Sequence, residues 1–407
     1  MYEIREYGFQ YLPQTPKGGS LPADFSKEAS RRVERFHQRL PGYRPTDLLR
    51  LSRLAERWGV KEILIKDEST RFDLKAFKAL GGSYAVARLM VKRLGMSPEE
   101  IDFNYLVSDE ARKRIGQVTF TTATDGNHGR GIVWAAEQLH QRAVVYMPKG
   151  AASSRVENIR SHGASVIVTD LTYDDAVRLC RRTAEEKSWL VIQDTAWDGY
   201  TEIPLWIMQG YMTMCVEAAD QMALTGLRPT HVFVQVGVGS LAGAVVGYLL
   251  NRFPDHPPRF ITMEPTRAAC IFASAAAADG RPHAVSGDLN TIMAGLACGE
   301  PNPMAWEILR DFCCCYVGCE DFTAANGVRI LANPLHGDTF VEAGESGAVG
   351  LGVLDLLCNN DRFGELKQEL AIDRDSTLLF FNTEGATDPE TYREIVWHGK
   401  YPHKFLT

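Results

Sequence analysis

A lysine and a polar turn further along the chain are its strongest chemical signals. Lys78 stands in the apolar-flanked segment Phe77-Lys-Ala-Leu-Gly-Gly-Ser. Burial disfavours the ammonium form of a lysine, and a neutral amine can form a Schiff base with an aldehyde. The turn Thr124-Asp-Gly-Asn-His-Gly brings a carboxylate, an amide and an imidazole close together in sequence. A solvated surface lysine is the ordinary alternative for Lys78, so the remaining motifs must decide between the two interpretations.

A glycine-rich turn provides a second signal, for an anion. Gly237-Val238-Gly239-Ser240 follows an apolar run and precedes a helical pattern, so its backbone N–H groups and the helix start can cradle a phosphate. With Ala242, the same glycines also match the dinucleotide pattern G-x-G-x-x-G/A, and Glu264 follows where a ribose-binding acid would stand. The turn therefore leaves two ligands open, a phosphate-bearing aldehyde and a nicotinamide dinucleotide.

The full set of motifs favours the aldehyde, pyridoxal phosphate. A nicotinamide enzyme requires neither an apolar-flanked lysine nor a Gly-Asn-His-Gly turn, whereas pyridoxal phosphate uses both. Its aldehyde suits Lys78, its phenolic oxygen suits the amide of Asn127, and its phosphate suits the glycine turn. A simple helix cap is the alternative role for Asn127. His128, a loop histidine beside glycines, is more typical of a structural hydrogen-bond partner than of an acid or base.

Composition excludes several classes of function. The chain has 407 residues, 45% of them hydrophobic and 23% charged, as in an ordinary globular protein of about two to three domains or one bilobal unit. Its net charge of −7 comes without a dense Lys/Arg block, which argues against nucleic acid or a membrane surface as partner. The N-terminus lacks a signal pattern, and no segment reaches the roughly 18 apolar residues of a membrane span. We expect a cytoplasmic protein that binds a small molecule.

Nine cysteines are present, without the spacing of a structural metal site. The run Cys313-Cys-Cys315 and then Cys319 do not form the paired Cys-x-x-Cys pattern of zinc sites, so no metal is predicted. Reduced, partly buried thiols are expected, because unpaired cysteines usually pack as small hydrophobic residues. Cys270 and Cys298 could pair, and the sequence leaves that question open.

Alternating short apolar runs and helical periodicity predict two α/β units. The first unit is predicted to have strands at 118–122, 143–147, 164–169 and 189–192, with helices at 129–139, 153–161 and 173–187. The second is predicted to have helices at 204–224 and 241–250 and strands at 231–236 and 259–263. A last buried strand, 376–382, runs directly into Thr383. Such arrays form parallel sheets, and ligands bind at the carboxyl ends of their strands.

Taken together, the motifs resemble the fold-type II pyridoxal phosphate enzymes, the group of tryptophan synthase β and threonine dehydratase. The resemblance rests on Phe77-Lys78, Gly81-Gly82-Ser83, Gly126-Asn127-His128-Gly129, Gly237-Val-Gly239-Ser240 and a polar residue after the final strand, and it covers most of the chain. Four longer segments are similar to the diaminopropionate ammonia-lyase family within that group. They are Phe77-Lys-Ala-Leu-Gly-Gly-Ser-Tyr-Ala85, Thr122-Ala-Thr-Asp-Gly-Asn-His-Gly-Arg-Gly131, Gln193-Asp-Thr-Ala-Trp197 and Asn382-Thr-Glu-Gly-Ala-Thr-Asp388.

The resemblance implies a two-lobed α/β fold and a homodimer. It implies two mostly parallel sheets flanked by helices, with residues 1–82 and 198–407 forming a large cofactor-binding domain. Residues 83–197 would form a smaller inserted domain that closes over the substrate.

The resemblance also implies a role for each cofactor-binding residue. Lys78 carries the Schiff base, Asn127 contacts the phenolic oxygen, and Thr383 faces the pyridine nitrogen. The phosphate is held by the loop Gly237, Val238, Gly239 and Ser240. A hydroxyl at Thr383, unlike an aspartate, does not enforce a protonated pyridine, which makes the ring a weaker electron sink and is compatible with elimination of a β-substituent.

Two aspartates are the candidate bases. Asp125 stands where hydroxy-amino-acid dehydratases have a small residue, so its carboxylate could pair with a β-ammonium or take the α-proton. Asp194 follows a predicted strand. The resemblance implies that both act as bases, one for each substrate enantiomer, whereas without it Asp125 would be a turn residue and Asp194 a loop acid. Glu345-Ser-Gly-Ala348 and the segment 71–73 are further candidates for the wall of the site, although acids before a helix are also ordinary caps.

These expectations combine into one predicted reaction and three alternatives. The prediction is α,β-elimination of 2,3-diaminopropionate to pyruvate and two ammonia, with Lys78 as the Schiff-base lysine and Asp125 and Asp194 as bases. A serine or threonine dehydratase of the same fold is the first alternative. An NAD-dependent oxidoreductase using the Gly237 loop is the second, and a pyridoxal phosphate carrier without activity is the third.

Overall fold

Two β-sheets form the framework of the chain in the computed structural model, which describes residues 1–124, 126–151 and 153–404. The strands of the larger sheet are β1 (Tyr2–Ile4), β2 (Phe9–Pro13), β3 (Leu48–Arg50), β4 (Glu62–Asp67), β9 (His231–Gln235), β10 (Arg259–Pro265), β11 (Cys313–Cys319) and β12 (Thr377–Asn382). Those of the smaller sheet are β5 (Thr119–Ala123), β6 (Arg142–Met147), β7 (Ser165–Val168) and β8 (Leu190–Val191).

Helices cover the faces of both sheets. Those in the first half of the chain are α1 (Lys27–His37), α2 (Ser52–Trp58), α3 (Lys78–Arg93), α4 (Phe103–Leu106), α5 (Asp109–Ile115), α6 (Asn127–Gln138), α7 (Ser153–Arg160) and α8 (Tyr173–Lys187). Those in the second half are α9 (Glu202–Leu224), α10 (Ser240–Arg252), α11 (Cys270–Ala277), α12 (Pro303–Phe312), α13 (Asp321–Ala332), α14 (Glu345–Asn359), α15 (Gly364–Glu369) and α16 (Pro389–Val396).

The larger sheet has a parallel centre and antiparallel edges. Its order is β1-β2-β11-β10-β9-β12-β4-β3, and the strands from β11 to β4 run parallel. β2 pairs with β11, and β3 with β4, in the antiparallel sense. The central strands are buried on both faces, as their near-continuous apolar sequences require. Parallel pairing brings the carboxyl ends of β9 and β12 to one edge, directly before the Gly237 turn and Thr383.

The smaller sheet is parallel, in the order β7-β6-β5-β8. Its strands lie within residues 119–191, inside the segment that the sequence assigns to an inserted domain. The proposed boundary at residues 82–83 falls within α3, which packs against α6 on one side and α9 on the other. The helix that begins with Lys78 therefore connects the two sheets.

Close helix contacts fix the position of α3. A Cβ on Gly131 of α6 would approach the backbone nitrogen of Ala79 to 2.9 Å, and one on Gly210 of α9 would approach the carbonyl oxygen of Leu80 to 2.5 Å. Neither neighbour is a flexible side chain, so larger residues at these two positions would force backbone movement. The glycines thus allow both helices to approach the first turn of α3.

The predicted fold class is confirmed, but the strands β1 to β4 and β11 were not predicted. Predicted strands and helices from residue 118 onward fall within a few residues of the observed ones. The cysteine run, by contrast, lies in β11, where every residue from Cys313 to Cys319 is buried. Cysteine behaved there as a small hydrophobic residue in a central strand. Among the described residues, no helix is both long enough and apolar enough to cross a membrane.

Candidate active site

A cavity of about 900 Å³ opens between the two sheets. The smaller-sheet side contributes Thr124, Asn127, His128 and Asp194, and the larger-sheet side contributes Gly237, Val238, Gly239, Ser240, Glu345, Thr383 and Glu384, together with Lys78 from α3. The described residues among the predicted catalytic and cofactor-binding set therefore line one cavity, although they are spread along most of the chain. Asp125 lies outside the described residues.

Lys78 is the first residue of α3 and reaches into this cavity. Its Nζ donates to Oδ2 of Asp194 at 2.7 Å, and its side chain is 16% exposed. The preceding residue, Phe77, donates its backbone N–H to the carbonyl of Thr383 and packs its ring 4.7 Å from that of Tyr211. These contacts hold the amine beside the end of β12.

The segment before Lys78 has an unusual backbone. Phe72, Asp73 and Lys75 have φ values of +50°, +58° and +52°, although none is glycine. Such conformations cost on the order of 1 to 3 kcal/mol each and persist only where the surroundings impose them. Here Arg130 of α6 donates to the carbonyl of Leu74, and the N–H of Gly385 donates to the carbonyl of Lys75. Contacts from both sheets thus impose the loop that presents Lys78.

Asp194 is buried at the end of the smaller sheet. Burial alone would raise the pKa of its carboxyl, but the electrostatic influence of His128, the charge of Lys78 and the hydrogen bond from Lys78 outweigh burial and hold the pKa well below its usual range. His128 Nε2 donates to the carbonyl of Ile192 at 2.8 Å, while Nδ1 lies 3.7 Å from Asp194 Oδ2. The site thus contains an ionised carboxylate beside a lysine.

The polar turn is stabilised by Thr124 rather than by Asn127. Thr124 Oγ1 accepts hydrogen bonds from the N–H groups of Gly126 and Gly129, which cap the start of α6. The Asn127 side chain does not cap its helix but donates from Nδ2 to Oε2 of Glu384 at 2.5 Å. Since an amide nitrogen has two hydrogens, the second remains available for a ligand in the cavity.

The glycine turn forms an anion cradle at the start of α10. Gly239 has a φ of +103°, a conformation that L side chains rarely adopt, and a Cβ on Gly237 would approach the carbonyl oxygen of Gly295 to 3.2 Å. Position 239 therefore requires glycine and position 237 favours it, and the N–H groups of the turn and the positive helix end are suited to a phosphate. Ser240 Oγ donates to the backbone carbonyl of Asp194 at 2.5 Å and accepts from Nδ2 of Asn302 at 2.8 Å.

A buried glutamine orients the hydroxyl of Thr383. Gln235 donates from Nε2 to Oγ1 of Thr383 at 2.8 Å and to the carbonyl of Phe381 at 2.9 Å. Because that carbonyl can only accept, the amide nitrogen must face it, which fixes the orientation of the glutamine. The hydroxyl of Thr383 thus accepts from Gln235 and is left to donate its proton towards the cavity.

Two predictions from the sequence are wrong. Glu264, the candidate ribose ligand, is a fully buried residue of β10 whose carboxyl accepts hydrogen bonds from the N–H groups of Ile271 and Phe272 in the first turn of α11, so it cannot contact a nucleotide. Arg71, a candidate for the cavity wall, lies in a buried ion network with Glu68 and Glu217. Both side chains satisfy internal partners, which a motif cannot reveal.

The residues of the cavity fit pyridoxal phosphate. The turn from Gly237 to Ser240 suits its phosphate, Lys78 suits its aldehyde, and the donating hydroxyl of Thr383 suits an unprotonated pyridine nitrogen. The remaining amide hydrogen of Asn127 suits a phenolic oxygen. A dinucleotide, by contrast, would lack the acid that its ribose requires, because Glu264 is buried elsewhere.

Sequence analysis missed several residues that shape the site. Gln235, Glu384 and Asn302 each contact a predicted site residue, and Tyr211 packs against Phe77, the residue before Lys78. Gln235 is the last residue of β9 and Glu384 follows Thr383, so both stand at strand ends, where a signal was present. Tyr211 and Asn302 lie far from any motif and become neighbours of the site only through packing.

The family model and the similar proteins that match this chain agree on one family. Residues 39–372 match the family model described as "Pyridoxal-phosphate dependent enzyme". The chain is 48% identical over 402 residues to diaminopropionate ammonia-lyase of Salmonella typhimurium, covering 98% of this chain and 100% of that protein.

Two solved structures are similar over almost the whole chain. The diaminopropionate ammonia lyase of Escherichia coli in complex with D-serine has a TM-score of 0.91 at 46% identity, covering 97% of this chain and 98% of that one. The same enzyme in complex with an aminoacrylate-PLP azomethine reaction intermediate has a TM-score of 0.89 at 46% identity and the same coverage. The chain belongs to the pyridoxal-phosphate dependent enzymes and, within them, to the diaminopropionate ammonia-lyase family.

Proposed function

We propose that this protein eliminates ammonia from 2,3-diaminopropionate, giving pyruvate and two ammonia, and that Lys78 and Asp194 lie at the reacting centre. The observation that carries the proposal is the 2.7 Å contact between Lys78 Nζ and Asp194 Oδ2, inside a cavity that also holds an anion cradle. An amine that can form a Schiff base and a carboxylate that can take a proton are the two groups that α,β-elimination requires. The family, which is one of carbon–nitrogen lyases, supports the reaction class.

Pyridoxal phosphate, when bound, supplies an aldehyde for amines and a conjugated ring that accepts the electron pair left when a Cα–H bond breaks. The glycine turn from Gly237 to Ser240 would hold its phosphate with backbone N–H groups. Asn127 and Thr383 would donate hydrogen bonds to its phenolic oxygen and its pyridine nitrogen. Since Thr383 is a neutral hydroxyl, it leaves that nitrogen without a proton, which moderates the electron demand of the ring.

Asp194, at the end of the smaller sheet, is the first proposed base. A substrate beside Lys78 places its Cα next to a carboxylate that is already ionised. The charge of Lys78 lowers the basicity of Asp194, so the carboxylate becomes a stronger base when that charge is lost. Lys78 Nζ can also pass a proton to or from Asp194 across the 2.7 Å contact.

Asp125 is proposed as the second base, serving the opposite enantiomer. It belongs to the turn before Asn127, whose amide faces the same cavity. Two bases on different elements would allow both enantiomers to lose their α-proton.

The product leaves as 2-aminoacrylate, which hydrolyses in water to pyruvate and ammonia. The electron pair of the Cα–H bond becomes the second bond between Cα and Cβ, and the Cβ–N pair departs with the first ammonia.

We further propose that the protein is a cytoplasmic homodimer. The small sheet would belong to an inserted domain, residues 83–197, that closes on residues 1–82 and 198–407.

The test is the release of pyruvate and ammonia by cofactor-loaded protein from L- and D-2,3-diaminopropionate, with serine and threonine alongside. We expect about two ammonia per pyruvate from a diamino acid, which is the stoichiometry of the elimination. Lys78→Ala should abolish both turnover and the visible band of the bound cofactor, and Asp194→Asn should lower kcat for one enantiomer more than for the other. Activity confined to serine or threonine would identify a dehydratase, and a bound cofactor without any turnover would indicate a carrier.

A further inference from the structure

Glu345 is a buried carboxyl group in the cavity wall, and no other residue that the structure describes binds it. It is the first residue of α14, is 6% exposed and lines the cavity. Its carboxyl accepts a hydrogen bond from its own backbone N–H at the start of the helix. Among the described residues, no other residue donates a hydrogen bond to it or lies within ion-pair distance of it. The neighbouring hydroxyl of Ser346 is buried in the same wall, and it also has no hydrogen-bond partner among the described residues.

The charges around Glu345 do not compensate it. Glu384 and Asp388 are acids in the same wall, the first already bound to Asn127 and the second to the N–H and hydroxyl of Thr391. Arg155, on the opposite side of the cavity, is the basic residue whose charge reaches Glu345. Burial, followed by the charge of Glu384, raises the pKa of Glu345 to about 7, so its carboxyl changes charge near neutral pH.

A structural role would leave a different pattern of contacts. Elsewhere in the chain, Glu264 is just as buried and accepts two backbone N–H groups, and Glu217 binds Lys66 and Arg71. A buried carboxylate without such partners is strongly unfavourable unless it takes a proton or a cation enters beside it. Glu345 faces a cavity in which such a cation can bind.

We propose that Glu345 recognises the β-ammonium of the substrate and so selects a diamino acid over a hydroxy amino acid. The proposal rests on the function proposed above, because it concerns the same cavity. Serine and 2,3-diaminopropionate share the α-amino and carboxylate groups and differ at Cβ, where one has a hydroxyl and the other an ammonium. An acid that lacks a protein partner discriminates between these groups, since only the ammonium neutralises it.

The same contact prepares the leaving group. A carboxylate beside the β-nitrogen favours its protonated form. When the Cβ–N bond breaks, its electron pair goes to that nitrogen, which departs as neutral ammonia and leaves Glu345 in the charge state in which it bound the substrate. Glu345 is therefore a substrate-binding residue of the elimination, alongside the proposed bases.

Glu345→Gln is the decisive variant because it keeps the volume and removes the charge. We expect KM for 2,3-diaminopropionate to rise about 10- to 100-fold, the range for loss of a hydrogen bond to a charged group. The KM or inhibition constant of D-serine should change less than about 2-fold in the same variant. Glu345→Asp, which keeps the charge on a shorter side chain, should recover part of the affinity for the diamino acid. Glu342→Gln, at a half-exposed acid that pairs with Lys75, is the matched control.

The pH profile gives an independent readout. In the wild type, KM for the diamino acid should fall as the pH rises through about 7, because Glu345 becomes ionised in the substrate-free cavity. The charged groups that surround Glu345 are Glu384, Asp388 and Arg155, and all three remain in the Glu345→Gln variant. The pH dependence of KM should therefore flatten in this variant and persist in the Glu342→Gln control.

Failure of this inference is distinguishable from failure of the proposed function. A wild type that leaves 2,3-diaminopropionate unchanged would refute the function itself. A wild type that is active, with a Glu345→Gln variant that binds both ligands normally or loses both equally, would refute the role of Glu345 and leave the function intact.

Discussion

Two regions of this protein contain buried charges and treat them in opposite ways. The first is the Arg71 network, formed by Lys66, Glu68, Arg71 and Glu217, in which every charged group has several partners. Arg71 binds Glu68 through Nε and Nη2 and Glu217 through Nη1 and Nη2, all within 2.7 to 2.9 Å. Lys66 adds contacts to Glu217 and to the carbonyl of Thr46. Its two acids and two bases also balance in charge.

The second region is the cavity, where charges and dipoles are left incomplete. Lys78 and Asp194 pair with each other, Thr383 accepts one hydrogen bond and has a proton to donate, and Glu345 has no hydrogen bond from another described residue. The difference separates two uses of buried polar groups. Where every buried polar group has its hydrogen-bond and ion-pair partners, these interactions stabilise the backbone conformation. Where partners are missing, the polar groups remain able to bind a ligand.

The largest effect should come from breaking the Arg71 network. Arg71→Met leaves two buried carboxylates with one lysine, and removal of one partner from such a network costs about 3–5 kcal/mol. The network anchors the strained segment before Lys78, so the activity of the folded fraction should fall as well. Urea unfolding of cofactor-saturated protein measures the first effect, and turnover per bound cofactor measures the second.

Two further variants give this experiment its controls. Arg71→Lys keeps the charge but cannot bridge two carboxylates at once, so it should recover only part of the stability. Arg53→Met, at an exposed ion pair with Glu56, should change the free energy of unfolding by less than about 0.5 kcal/mol. Equal stability of Arg71→Met and the wild type would show that the network does not hold this segment.

Stability should depend on pH in opposite senses in the two regions. Arg71 and Lys66 lower the pKa of Glu217 in spite of its burial, so the stability from this group is present above pH 4.5 and is lost as the pH falls through its folded pKa. Glu345 has a raised pKa of about 7, so the folded protein keeps a proton that the unfolded chain releases. Its contribution is present below about pH 4.5 and declines by at most about 3 kcal/mol as the pH rises to 7.

Two glutamine variants separate these slopes. Glu345→Gln should gain stability relative to the wild type between pH 5 and pH 8, whereas Glu217→Gln should lose most at neutral pH and converge with the wild type in acid. Unfolding free energies at three pH values, with excess cofactor, are sufficient. A Glu345→Gln variant whose stability relative to the wild type stays constant across this range would show that Glu345 already has a partner in the folded protein.

How much the sequence predicts depends on the range of the interactions involved. The predicted βαβ arrays after residue 118 agree with the structure because hydrophobic periodicity is local, and the strand before Thr383 was found for the same reason. β11 was missed because its cysteines were considered for their redox and metal chemistry, although in this strand they are packing residues. The first four strands, β1 to β4, were also missed, and of these the edge strands β1 and β3 are only three residues long.

The site follows the same rule. Lys78, the Gly237 turn and Thr383 stand next to strand ends or helix starts, so motif and element coincide and the sequence could place them. Glu264 and Arg71 were wrongly placed at the site because they bind internal partners that are distant in sequence or belong to no motif. Glu345 was named as a candidate, but only the cavity and the missing partner distinguish it from an ordinary helix cap.

The smallest effect tests how the satisfied and unsatisfied regions are joined. Asn302 caps α12 through Oδ1, which accepts from the N–H of Met304, and donates from Nδ2 to Ser240, whose hydroxyl donates to the carbonyl of Asp194. Asn302→Ser keeps a neutral capping side chain but is too short to reach Ser240. Losing this hydrogen bond should shift Asp194 slightly and lower kcat about 5- to 10-fold, with the dissociation constant of pyridoxal phosphate changed less than about 3-fold.

Asn302→Asp retains the cap and adds a negative charge beside the phosphate cradle, so it should weaken cofactor binding as well. If Asn302→Ser instead weakened the cofactor and left kcat unchanged, Asn302 would support the phosphate loop alone, and the base would be positioned independently of it.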